Sequence, residues 1–195
     1  MEETLYDHYK ESVELIREQI KARDRAFFFL LAAIGLSLLQ LGAPAETTEA
    51  IQSFLTAKTG ASLTLNLSVI KSALLVIVLA VDVRYLQATI YVERQYSYIH
   101  SIEKELCSTG IKITREGDAY LSDYPFLLNV IHVVYTIVFP AIIIFTMVLR
   151  GIDAYADYMR LHNVLLLAFD AIMICSVAFL TICYVAWMYF HLKRI

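Results

Sequence analysis

Lys71, Asp82, Arg84, His132 and Asp170 stand in stretches that are otherwise apolar enough to lie in lipid. Ionisable groups at that depth are costly, so each requires a partner or an aqueous lining. Lys71 and Asp170 each fall about seven residues from the outer end of their stretch, about 10 Å deep at 1.5 Å per helical residue. They are expected to form an intramembrane ion pair, with a structural salt bridge as one role and a pore lining as the other. Asp82 and His132 fall at a matching depth of about 9 Å from the inner face. With Arg84 they form an expected inner polar cluster, in which a histidine beside a carboxylate could relay protons or hold a hydrogen bond. Arg84 is two residues from Asp82, which turns it to the opposite side of a helix.

Arg94 and His100 make an R-x5-H spacing, RQYSYIH. Histidine as acid or base, with arginine on a phosphate, is ribonuclease chemistry. Six residues on a straight helix are about 240° out of phase, so the two side chains would need a second copy to converge. The other reading is a solvated helix face. No Gly-rich phosphate loop, no Ser/His/Asp arrangement, no Glu-x-x-His and no histidine pair at metal spacing occurs in the sequence. No metal or cofactor is implied. Cys107, Cys175 and Cys183 are dispersed and odd in number, which gives no disulfide framework. A net charge of −3 argues against direct nucleic-acid binding.

These residues must be positioned by helices. Of 195 residues, 59% are hydrophobic, and mean hydropathy is +0.62. The excess lies in blocks of membrane-spanning length. The longest organised stretch, 62–109, has neither glycine nor proline. It reads as one helix that starts in the bilayer and runs into water. In order, the expected elements are a cytoplasmic amphipathic helix 3–25, a span 26–42, an external loop 43–64 and a span with its cytoplasmic extension 65–107. A cytoplasmic loop 108–125, a span 126–149, an external loop 150–163, a span 164–190 and a tail 191–195 follow. Within the first loop, Ile51, Phe54 and Leu55 suit a short helix that stops at Thr59-Gly60. Pro140 is expected to kink its span. The acidic start, MEETLYDHYKE, does not read as a cleaved signal peptide.

Four spans put both termini on one side. Twelve basic residues then lie on that side and three, Lys58, Arg150 and Arg160, on the other. The excess of positive charge marks the cytoplasmic side, so both termini are expected there. Two apolar stripes, Leu5, Tyr9, Val13, Ile16, Ile20 and Tyr91, Tyr98, Ile102, Leu106, run along otherwise charged helices. With Tyr120 and Tyr124 of the cytoplasmic loop they form an expected interaction face.

The polar amphipathic first helix, the four-span layout, the extended second span and the segment IKITREGDAYLSDYP before the third span resemble the small four-span membrane subunits of bacterial anti-phage defence systems. The Kiwa membrane subunit and the membrane accessory proteins of CRISPR systems belong to that group. The resemblance implies an oligomeric inner-membrane sensor or a pore that depolarises the cell. The R-x5-H spacing is similar to that of membrane accessory proteins with HEPN-like motifs, which implies a membrane-attached ribonuclease as a further alternative. The expectation is therefore an all-α integral membrane protein, a four-helix bundle with cytoplasmic helical extensions. Its partners would be the bilayer, other copies of itself and a soluble cytoplasmic protein. A non-catalytic anchor for such a protein is the reading from another class.

Overall fold

The computed structural model describes residues 2–60, 67–108, 130 and 133–192. All regular structure among them is helical, with no strand. Helix α1 covers Glu2–Gly42, α2 Pro44–Thr59, α3 Leu67–Ser108, α4 Phe139–Leu161 and α5 Val164–Leu192. Three of these hold segments long and apolar enough to cross a membrane: Tyr6–Gly42, Val134–Leu161 and Val164–Phe190.

The local sequence explains where each helix stops. The expected helix 3–25 and span 26–42 are a single helix, because KARDRAFFF at their junction holds no glycine or proline to break it. Pro44 lies in the first turn of α2, where a missing N–H costs nothing. Gly60 ends α2 in the left-handed conformation, φ 69°, and its N–H donates to the Thr56 carbonyl at 2.9 Å. The absence of breakers likewise carries α3 through 42 residues, about 63 Å, without interruption.

Pro140 lies in the first turn of α4, and a π-helical turn, Val134–Val138, immediately precedes it. A proline ring clashes with the carbonyl four residues back, and the wider turn makes room for it. The expected external loop 150–163 is mostly helix. Helix α4 runs to Leu161, and only His162 and Asn163 join it to α5. His162 takes the left-handed conformation at φ 51°, with its N–H on the Tyr158 carbonyl at 2.8 Å. The Asn163 side chain caps α5 by accepting from the Leu166 N–H at 3.1 Å.

The chain forms two compact units. The first comprises Met1–Phe27 and Arg84–Val134, the second Phe28–Val83 and Tyr135–Ile195. Helices α1 and α3 each contribute to both. In the first unit, Tyr9 and Ile16 of α1 pack with Ile99, Ile102 and Leu106 of α3, flanked by Val13, Ile20 and Tyr96. The Tyr9 hydroxyl donates to Glu103 Oε1 at 3.0 Å within this buried cluster.

The stripe expected on α3 divides. Ile102 and Leu106 are buried, but Tyr91 and Tyr98 are 37% and 51% exposed. Val92 and Ile99 take the inner positions instead. Positions 92, 99 and 106 repeat every seven residues, which defines a two-helix seam. Tyr91 and Tyr98 are one residue, about 100°, off that line. On α1, Tyr9 and Ile16 are buried, and Val13 and Ile20 are half-buried against the same cluster. The side chain of Leu5 and residues Tyr120 and Tyr124 lie outside the described residues.

The second unit has its polarity reversed relative to a water-soluble fold. Leu30, Ile34, Leu75, Val78, Ile143 and Val177 form its interior, yet Lys71, Asp82, Arg150 and Asp170 are buried with them. Its outer surface carries Phe28, Phe29, Phe145, Ile152, Leu165 and Phe179, with Leu165 83% exposed. An apolar exterior around buried charge is the arrangement that suits a lipid solvent.

Candidate functional site, a buried charge cluster

The second unit gathers two cations and three carboxylates from three helices. On α4, Arg150, Asp153 and Asp157 follow one another at steps of three and four, which sets them on one face. Ile152 and Tyr155, between them in sequence, and Met159, just after them, point outward. From α3, the Lys71 ammonium donates to Asp153 Oδ1 at 2.9 Å and to Asp157 Oδ2 at 2.8 Å. One cation is thus shared by two carboxylates a helical turn apart.

Arg150 is 2% exposed and reaches toward α1. Its Nε donates to Ser37 Oγ at 2.7 Å and its Nη2 to Gln40 Oε1 at 2.6 Å. Its Nη1 lies 3.5 Å from Asp153 Oδ2, an ion pair that joins the two cations through one carboxylate. Asp170 of α5 accepts from Ser72 Oγ at 2.6 Å. Side chains from α1, α3, α4 and α5 therefore meet in one network. The buried Gln40 Nε2 has no acceptor among the described residues.

The expected Lys71–Asp170 pair is corrected by this geometry. Both residues are buried in the same unit. The hydrogen-bond partners differ: Lys71 takes Asp153 and Asp157, and Asp170 takes Ser72, the residue after Lys71 and about 100° around α3. Once α4 continues past Leu149, its two carboxylates lie at the level of Lys71 and compete for it. Ser37, Gln40, Ser72, Arg150, Asp153 and Asp157 are the residues that sequence reasoning missed. Their signal was present: charges at i, i+3 and i+7 with large apolar residues between them, and Ser37 and Gln40 three apart on an otherwise apolar helix.

The inner cluster does not assemble as expected among the described residues. Asp82 is fully buried, with neither carboxyl oxygen hydrogen-bonded. Arg84 is exposed, turned away as the helix period requires. His132 lies outside the described residues.

Arg94 and His100 are both on α3. Arg94 is exposed, in an open groove beside Gln87, Ile90, Tyr91, Gln95 and Tyr98. His100 is half-buried, its ring 6.3 Å from that of Tyr96. The helix does not bring the two together.

Among the described residues, no group of three or more His, Cys, Asp or Glu side chains could hold a metal ion. Cys107, Cys175 and Cys183 form no disulfide among the described residues. Comparison with protein-family models, with curated proteins and with solved structures gives no match to this chain.

Proposed function

We propose that this chain is a four-span helical protein of the bacterial inner membrane that perturbs or senses the membrane as the oligomeric subunit of an anti-phage defence system. Three spans correspond to the apolar segments of α1, α4 and α5. The fourth is the first half of α3, residues 67–88, whose charges Lys71 and Asp82 are turned inward and whose exposed Arg84 stands near its inner end. Both termini lie in the cytoplasm on this reading. Arg150 is drawn into the cluster, which leaves Lys58 and Arg160 as the outer basic residues and sharpens the charge asymmetry.

The observation that carries this reading is the Lys71–Asp153–Asp157–Arg150 network inside an apolar shell. A passive anchor needs only apolar helices. Buried charge inside such a bundle is expensive and is characteristic of ion paths, sensors and gates. The unsatisfied Gln40 amide adds a polar atom that a purely structural network has no reason to bury.

The test is membrane potential in cells expressing the protein together with its neighbouring genes and challenged by phage. A potential-sensitive dye should report depolarisation. Lys71→Met and Asp170→Asn, at matched protein levels, should change its extent or onset. An intact potential on challenge would remove the depolarising-pore reading. Unchanged responses in both variants would remove the cluster from the mechanism.

The second reading, a membrane scaffold for a soluble cytoplasmic protein, is favoured by the exposed Tyr91, Arg94 and Tyr98. Aromatic and arginine side chains are the common anchors of protein interfaces. A scaffold would retain one soluble protein on purification and lose it in Tyr91→Ala/Tyr98→Ala.

A further inference from the structure

Asp82 requires a different account from the charge cluster. It is 0% exposed, and neither of its carboxyl oxygens has a hydrogen-bond partner among the described residues. The buried cations of its unit are engaged elsewhere. Lys71 is eleven residues away on α3, about 16 Å, and is held by Asp153 and Asp157. Arg150 is held by Ser37 and Gln40. Two residues beyond Asp82, Arg84 is exposed. Between Phe28 and Gln40, α1 carries no titratable side chain, and none occurs from Thr136 of the π-helical turn to Leu149 of α4. On α5, Cys175 and Cys183 are exposed, and Tyr184 lies three residues past Thr181.

The polar neighbour of the Asp82 carboxyl is Thr181. The Thr181 hydroxyl donates to the Val177 carbonyl of its own helix at 2.9 Å. An isolated ionised carboxylate in apolar surroundings is costly enough that the group is carried neutral instead.

We propose that Asp82 is a proton-binding site in the membrane-embedded part of this protein, held as the neutral acid in its apolar surroundings. Val78 and Val177, one helical turn before Asp82 and Thr181 on their helices, are both fully buried. The proton is released only when water or a cation reaches the carboxyl, so its occupancy reports whether the apolar layer is closed. This rests on reading the second unit as membrane-embedded and is independent of a defence role.

Infrared spectroscopy of the detergent-solubilised full chain at neutral pH tests it. The wild type should show the C=O stretch of a protonated carboxyl, and Asp82→Asn should lose it. Asp170→Asn should retain it. A wild-type spectrum without that band, or one unchanged by Asp82→Asn, would overturn the proposal; a carboxylate paired with His132 would give that result.

Should Asp82→Asn fail to fold, a hydrophobic carbodiimide applied to the wild type reads the same state. The acid O–H adds across the carbodiimide C=N bond and the acyl group shifts to nitrogen, so an N-acylurea of unchanged atom count remains on the Asp82 peptide. An unmodified Asp82 peptide would overturn the proposal. Neither readout involves membrane potential, so this site and the depolarisation reading stand or fall separately.

Discussion

Lys71 Nζ lies 2.8 Å from Asp157 Oδ2 and 2.9 Å from Asp153 Oδ1, so one buried ammonium holds two carboxylates of α4. Removing it leaves Asp157 without its cation and Asp153 with Arg150 alone, at 3.5 Å. Lys71→Met should therefore destabilise by about 3–5 kcal/mol, the usual cost of breaking a buried ion pair. Asp157→Asn should cost less, because Lys71 retains Asp153. Thermal unfolding in detergent measures both. A charge-swapped Lys71→Asp/Asp157→Lys chain should recover part of the loss, and Lys71→Asp/Asp170→Lys should recover less, since Asp170 bonds to Ser72 instead.

Arg150 contacts α1 at two separate acceptors, Ser37 Oγ from Nε and Gln40 Oε1 from Nη2. A guanidinium does this with one rigid fork, and an ammonium cannot. Arg150→Lys should then cost about 1.5–3 kcal/mol, the contribution of one hydrogen bond to a charged group. Ser37→Ala should cost more than Gln40→Leu, because the leucine also removes the buried amide nitrogen that has no acceptor among the described residues. If Arg150→Lys unfolds at the wild-type temperature, the fork geometry contributes nothing to stability.

The helices themselves were readable from residue types. Apolar blocks and missing breakers mark α1 and α3, and Thr59-Gly60 marks the end of α2 where the structure has it. The cluster was harder to read because hydropathy averages along the chain. Arg150, Asp153, Asp157 and Arg160 lower that average enough to suggest a loop. The average is blind to the fact that the first three share one face while Ile152, Tyr155 and Met159 share the other. The Tyr91/Val92 ambiguity has the same origin. Positions 91, 98 and 92, 99 both repeat at seven, and which pair turns inward depends on α1. A break expected near residue 26 is missing because a change from charged to apolar residues is a change of solvent, and the helix backbone continues through it.

In the first unit the Tyr9 hydroxyl donates to Glu103 at 3.0 Å across 94 positions of sequence, inside the Ile16, Ile99 and Leu106 cluster. Tyr9→Phe keeps the ring and removes the donor, and should cost about 1.5–3 kcal/mol as the loss of a hydrogen bond to a charged acceptor. Ile99→Ala should cost about 2–5 kcal/mol, because it opens a cavity in the same cluster. Limited proteolysis near residues 1–25 should accelerate in both variants. Tyr98→Ala, on the exposed side, should leave the proteolysis rate unchanged.

The outward faces of α4 and α5 near their shared turn decide where the bilayer ends. Ile152, Tyr155, Met159, Leu161 and Leu165 are all exposed on the protein surface, while Arg150, Asp153 and Asp157 turn inward. If the segment were an aqueous loop, this pattern would be reversed. Single cysteines at 152 and 155, placed in a chain whose native Cys107, Cys175 and Cys183 are changed to serine, should resist a membrane-impermeant maleimide in intact cells. A cysteine replacing Lys58, on the exposed end of α2, should react. Ile152→Lys should hinder insertion by up to about 3 kcal/mol, the cost of a lysine well inside a span and less nearer the boundary. Rapid labelling at 152 would place the charge cluster in the aqueous phase and remove its electrostatic cost, and with it the reason to treat the cluster as more than a surface network.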